Sequence, residues 1–145
     1  AANYTEASVE DRIAYRQELE RAANSLVVLA ENCPENYRCQ SLLLTAELER
    51  IAGRDAQAAA AYECAISYAE ETRALQYRAL ANELYARFQL ARGEEAAALM
   101  TEARSCYAQW GAAAKVRTWD RLQSVHSLEQ TEVRSTSPLF EAAGR

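Results

Sequence analysis

Apolar residues return along this chain at helical spacing, and their grouping predicts six helices. The Ser8 hydroxyl, three residues before Asp11, reads as a helix N-cap. Val9, Ile13, Leu19, Ala23, Leu26, Val27 and Ala30 then predict a first helix from residue 9 to about 31. Asn32-Cys33-Pro34 ends it, and Pro34 opens the second helix, because a first turn makes no use of the N–H that proline lacks. That helix runs to Ala52 and stops at Gly53, which can take the left-handed cap conformation. Asp55 is expected to cap a third helix carrying Ala58, Tyr62, Ala65, Ile66 and Ala69, with a break at Thr72-Arg73. A fourth carries Tyr77, Ala81, Leu84, Tyr85, Phe88 and Ala91 and closes at Gly93. The fifth, with Leu99, Met100, Ala103, Cys106 and Tyr107, ends at Trp110-Gly111. A sixth, from about Ala112 to about His126, reads as a cap in which Trp110 and Trp119 cover the last hairpin. The expected organisation is a weakly ordered start at 1–8, a helical domain at 9–126, and a polar linker or tail at 127–145.

The pattern also repeats. Tyr37-Arg38 through Gly53-Arg54 is echoed forty residues later by Tyr77-Arg78 through Arg92-Gly93, and Leu44, Ala46 and Leu48 return as Leu84, Ala86 and Phe88. A fixed period of this length, built from paired amphipathic helices, marks a helical solenoid. The fold expected is all-α, a tetratricopeptide-like superhelix of two full hairpins with flanking helices. Runs of alanine at 58–61, 96–98 and 112–114 suit it, since small residues let paired helices approach closely.

Charge narrows the function. A net charge of −5, with arginines scattered singly and Lys115 the sole lysine, excludes a general nucleic-acid binder, which needs a clustered basic surface. No stretch approaches the length of a membrane span, and the start lacks the charged and apolar regions of a signal peptide, so a cytoplasmic location is expected. Cys33, Cys39, Cys64 and Cys106 form no C-x-x-C pair and are expected as reduced, half-buried thiols.

The spacing of Gly53, Ala58, Tyr62 and Ala65 resembles the second half of a tetratricopeptide repeat. A further set of residues resembles one particular family: Asn36-Tyr37, Ala46-Glu47, Gly53-Arg54, Ala65-Ile66, Ala79 through Leu84, Ala86-Arg87-Phe88, Ala103-Arg104, Cys106-Tyr107, Trp110-Gly111-Ala112 and Lys115-Val116. The family is the helical-repeat segment of large bacterial multidomain signalling kinases. These carry a protein-kinase-like domain and an AAA/STAND-type ATPase before the repeats, and a GAF sensor and histidine kinase after them. The resemblance covers about residues 32–117 and implies a piece of a larger cytoplasmic sensor. Beyond it, Trp119-Asp120-Arg121-Leu122 stands where the family continues to a Tyr-Pro stop.

Catalytic constellations are not legible. Gly111 and Lys115 lack the second glycine and the hydroxyl residue of a phosphate-binding loop. His126 is the single histidine, which excludes two-histidine zinc sites, and no cofactor or metal is expected. The candidate site is a partner-binding groove on the first helix of each hairpin. Gln40, Leu43, Glu47 and Arg50 share one stripe, apart from a core stripe of Tyr37, Leu44, Leu48 and Ile51. Forty residues on, the same stripe holds Leu80, Glu83, Arg87 and Leu90. Mixed charge among leucines fits a peptide or a helix. The competing reading is that Glu47 with Arg50 and Glu83 with Arg87 merely pair within their helices. The expected role is a non-catalytic module that binds a protein, a peptide segment or neighbouring domains of the parent kinase. Three alternatives stand beside it: the ligand-sensing arm of a STAND-type transcription activator; an enzyme using the helical bundle as its catalytic body, against which the missing His, Gly and Cys constellations count; and self-association through apolar end faces by two-fold symmetry.

Overall fold

The structure, a computed structural model, describes residues 8–120. The chain runs through α1 (Val9–Asn32), α2 (Pro34–Ile51), α3 (Asp55–Glu71), α4 (Leu75–Ala91) and α5 (Ala97–Trp110), followed by a helical run at 113–120, here α6. Among the described residues there is no strand, and the architecture is the all-α helical repeat. His126 and the tail at 127–145 lie outside the described residues.

Local signals set the helix ends. The Ser8 hydroxyl accepts the Asp11 amide at 3.1 Å and donates to the Asp11 carboxylate at 2.7 Å, so the two side chains close the start of α1. Gly53, Gly93 and Gly111 all have positive φ in the turns after α2, α4 and α5. The turn between α3 and α4 does without glycine and places Arg73 at φ +55°, a region that costs a side-chain-bearing residue about 1–2 kcal/mol. Asp55 lies inside the first turn of α3, not at its cap, which is Arg54. Its carboxylate pairs instead with Arg92 at the far end of α4.

Each helix packs on the next, and α2 also touches α4 directly. This is the contact set of stacked hairpins, α2 with α3 and α4 with α5, with α1 and α6 as outer half-hairpins. The main core joins Cys39, Leu43 and Ala46 of α2, Ala58, Tyr62, Ala65 and Ala69 of α3, and Ala81, Tyr85 and Phe88 of α4. The fully buried alanines of α3 bring the backbones close, and three aromatic rings fill the space between hairpins, with centroids 5.4–6.3 Å apart. A smaller core forms where Ala79 of α4 meets Cys106 and Tyr107 of α5, with Val116 of α6 packed on it.

Two sequence expectations are corrected here. The deep stripe of α2 is Cys39, Leu43 and Ala46, whereas Tyr37, Leu44, Leu48 and Ile51 are half-buried. A helix with neighbours on three sides is apolar over much of its circumference, so periodicity alone does not single out its deepest face. Of the two tryptophans expected to cover the last hairpin, Trp119 is 7 % exposed and Trp110 is 55 % exposed. Trp110 is the final residue of α5, where the chain turns away at Gly111.

Candidate interaction surface

Each hairpin is held by a glutamate on its first helix and a tyrosine on its second. In the first, Tyr62 of α3 donates its phenol to Glu47 of α2, and Arg50, one turn further along α2, meets the same carboxylate at 2.7 Å. In the second, Tyr107 of α5 donates to Glu83 of α4 at 2.6 Å. Arg87 reaches Glu83 at 2.5 Å and Lys115 of α6 does so at 3.0 Å, so three side chains from three helices converge on a carboxylate only 1 % exposed.

The two clamps are not equivalent by sequence. Glu47 and Tyr62 lie six residues before and nine after Gly53, whereas Glu83 and Tyr107 lie ten before and fourteen after Gly93. Because paired helices run antiparallel, moving both partners about one turn away from the connecting loop keeps them level with each other. The clamp has therefore moved one turn deeper in the second hairpin, where Lys115 can join it. The signal was present in the sequence as a tyrosine on each second helix and a lone lysine near position 115, but only at unequal offsets.

Further polar bonds tie hairpin to hairpin. Gln40 of α2 donates its amide to the Tyr77 hydroxyl of α4, and Tyr85 of α4 donates to Glu63 of α3 at 2.9 Å. Arg78 of α4 bridges Glu70 of α3 at 3.1 Å and Glu102 of α5 at 3.0 Å.

Against this frame the stripe read from the sequence divides. Leu43 belongs to the core and Glu83 is a buried junction, so neither belongs to an open groove; the antiparallel partner helices cover them. Gln40, Glu47, Arg50 and Leu80 are half-buried, and Leu80 packs against the main core. Arg87 and Leu90 remain exposed. Both intrahelical pairs of the competing reading, Glu47 with Arg50 and Glu83 with Arg87, are present.

The chemistry of the buried groups is damped. Burial, and then the bond to glutamate, raise the phenols of Tyr62 and Tyr107 well above the ordinary range. Burial lifts the Cys39 thiol to about 11, and burial with a bond to Glu102 does the same for Cys106. Both are protonated near neutral pH, whereas a nucleophilic cysteine needs its thiolate. Among the described residues no three of His, Cys, Asp and Glu gather as metal ligands, and no helix is long and apolar enough to cross a membrane. An open cleft of about 540 Å³ lies between α5 and α6, with Arg104, Ser105, Ala108, Gln109 and Asp120 on its walls. Arg104 pairs with Asp120 across it at 2.7 Å.

Removing one clamp hydroxyl isolates its contribution. Tyr62→Phe keeps the ring and deprives Glu47 of one donor, with an expected loss of about 1–3 kcal/mol in urea denaturation. Tyr68→Phe, whose hydroxyl meets only the Pro34 carbonyl at 2.9 Å, is expected to cost about 1 kcal/mol or less.

The fold and these clamps define an all-α helical-repeat protein. Compared with family models, with curated proteins and with solved structures, the chain gives no match.

Proposed function

We propose that the chain is a non-catalytic interaction module of a cytoplasmic bacterial signal-transduction kinase, engaging a partner protein, a peptide segment or neighbouring domains of its parent. One observation carries the reading: the residues with chemistry to offer are consumed by the scaffold. Glu47 and Glu83 hold tyrosines, and Cys39 and Cys106 are protonated in the core, while Arg87 and Leu90 face solvent on the first helix of a hairpin. An exposed arginine beside an exposed leucine is what a binding surface offers, charge for orientation and apolar area for affinity. The resemblance of residues 32–117 to the repeat segment of such kinases supplies the parent. The ligand-sensing arm of a STAND-type ATPase activator is the second reading, favoured by the cleft between α5 and α6, whose size suits a small ligand.

The test is retention of the ATPase or histidine-kinase portion of such a kinase by the immobilised chain. Wild type and an Arg87→Ala, Leu90→Ala variant are compared after circular dichroism shows equal helicity. Retention lost at least tenfold in the variant supports the surface. Equal retention by both, or by neither, removes it.

A further inference from the structure

Six of the eight large apolar residues exposed among the described residues lie on one helix, α1: Val9, Ile13, Tyr15, Val27, Val28 and Leu29. Of the other described helices, α1 packs on α2 alone, through Ala23 and Ala30, so most of its surface is uncovered by them.

The exposed residues flank the buried strip on two sides. On one side Val9, Ile13, Arg16, Glu20 and Val27 follow at intervals of four, three, four and seven, a single helical stripe. Val9 is 67 %, Ile13 54 % and Val27 43 % exposed. The stripe is self-complementary about position 18. Val9 and Val27 lie nine residues to either side of it, and Arg16 and Glu20 lie two residues to either side. An antiparallel second copy of α1 therefore sets Val9 against Val27 and Arg16 against Glu20, each twice, with Ile13 on the same exposed stripe.

Arg16 and Glu20 already pair at 2.9 Å within the helix, half-exposed, so two copies bring four alternating charges together at the centre of the contact. The other flank has no such match. Pairing Tyr15 with Leu29 about Ala22 would set Glu18 against Leu26 and Asp11 against Cys33, so neither acid would meet a cation of the other copy.

We propose that α1 is a homodimer interface, in which two copies pair their α1 helices antiparallel about a two-fold axis at position 18. The stripe from Val9 to Val27 is about 27 Å long, which places the contact in the smaller class of interfaces. The charges set partner and register, and the valines and isoleucine supply the apolar area.

Sedimentation equilibrium on the full chain, from about 1 to 200 µM, tests this. The expected result is twice the mass of one chain at the upper end. Arg16→Glu and Glu20→Arg each place like charges across the axis and are expected to weaken the dimer at least tenfold. The double exchange R16E/E20R restores the dimer, and an equimolar mixture of the two single variants forms the heterodimer. Because the altered residues lie in solvent, helicity by circular dichroism is expected to be unchanged. Orientation is read by mixing Val9→Cys with Val27→Cys chains in which Cys33 and Cys64 are replaced by serine; the two crosslink to each other under mild oxidation. A monomer throughout, a dimer indifferent to charge reversal, failure of the double exchange to restore it, or crosslinking of Val9→Cys to itself in preference would each overturn the proposal.

Discussion

Glu83→Ala is expected to cost about 3–5 kcal/mol, enough to leave a domain of this size close to unfolding at room temperature. The carboxylate is 1 % exposed and takes hydrogen bonds from Tyr107 of α5, Arg87 of its own helix and Lys115 of α6. Its removal strands the buried Tyr107 hydroxyl and leaves Lys115, which also lies 5.5 Å from the centre of the Tyr107 ring, without its anion. Because Lys115 tethers α6, amide exchange in 113–120 should speed up before the rest of the domain opens. Glu83→Gln keeps an acceptor for Tyr107 and loses only the charge. Since Arg87 and Lys115 are exposed enough to hydrate, its expected cost is about 1–2 kcal/mol. Urea denaturation of both variants measures this, and equal losses for alanine and glutamine would show that the hydrogen-bonding geometry is not what the carboxylate provides.

The second large effect is alkaline destabilisation. The thiols of Cys39 and Cys106 sit at about 11 in the folded chain against an ordinary 9.0, because burial penalises the thiolate. Between these values the unfolded chain has released both protons and the folded chain has not, so the unfolded state binds fewer protons and stability falls as pH rises. The loss begins near pH 9 and is complete near pH 11. At about 1.4 kcal/mol per pKa unit, each thiol contributes roughly 2–3 kcal/mol. Tyr62 and Tyr107, raised in the same direction from an ordinary 10.0, extend the decline to higher pH. Denaturation midpoints from pH 7 to 11 should be level up to about 8.5 and then drop. Cys106→Ala should remove about a third of the drop between pH 9 and 11, since the tyrosines contribute above pH 10, at the expense of some stability at neutral pH.

The clamps also bear on function. Carboxylates read from the sequence as offered to a partner are engaged inside the scaffold, and of that stripe only Arg87 and Leu90 stay exposed, which is the surface proposed above for a partner. On α1 the reverse holds. Residues grouped in the sequence as one amphipathic helix leave a long apolar stripe in solvent, with a charge pair at its centre.

What the sequence determined by itself was local. The Ser8 cap, Pro34 at the start of α2, and Gly53, Gly93 and Gly111 at helix ends act within one turn of chain, and the observed limits fall within a residue or two of those read from them. The forty-residue recurrence likewise carried the hairpin architecture, because repeated apolar faces leave paired helices few ways to stack. Tertiary structure alone decided which face of α2 lies deepest, that Leu43 and Glu83 are covered, and that Trp110 stays in solvent while Trp119 does not. It also brought Tyr62 to Glu47, and Tyr107 and Lys115 to Glu83. Those pairings depend on how far along two antiparallel helices each partner sits, and on the rotation of each helix against three neighbours. Neither quantity is set by residues within a turn of one another, so neither is written in the local pattern.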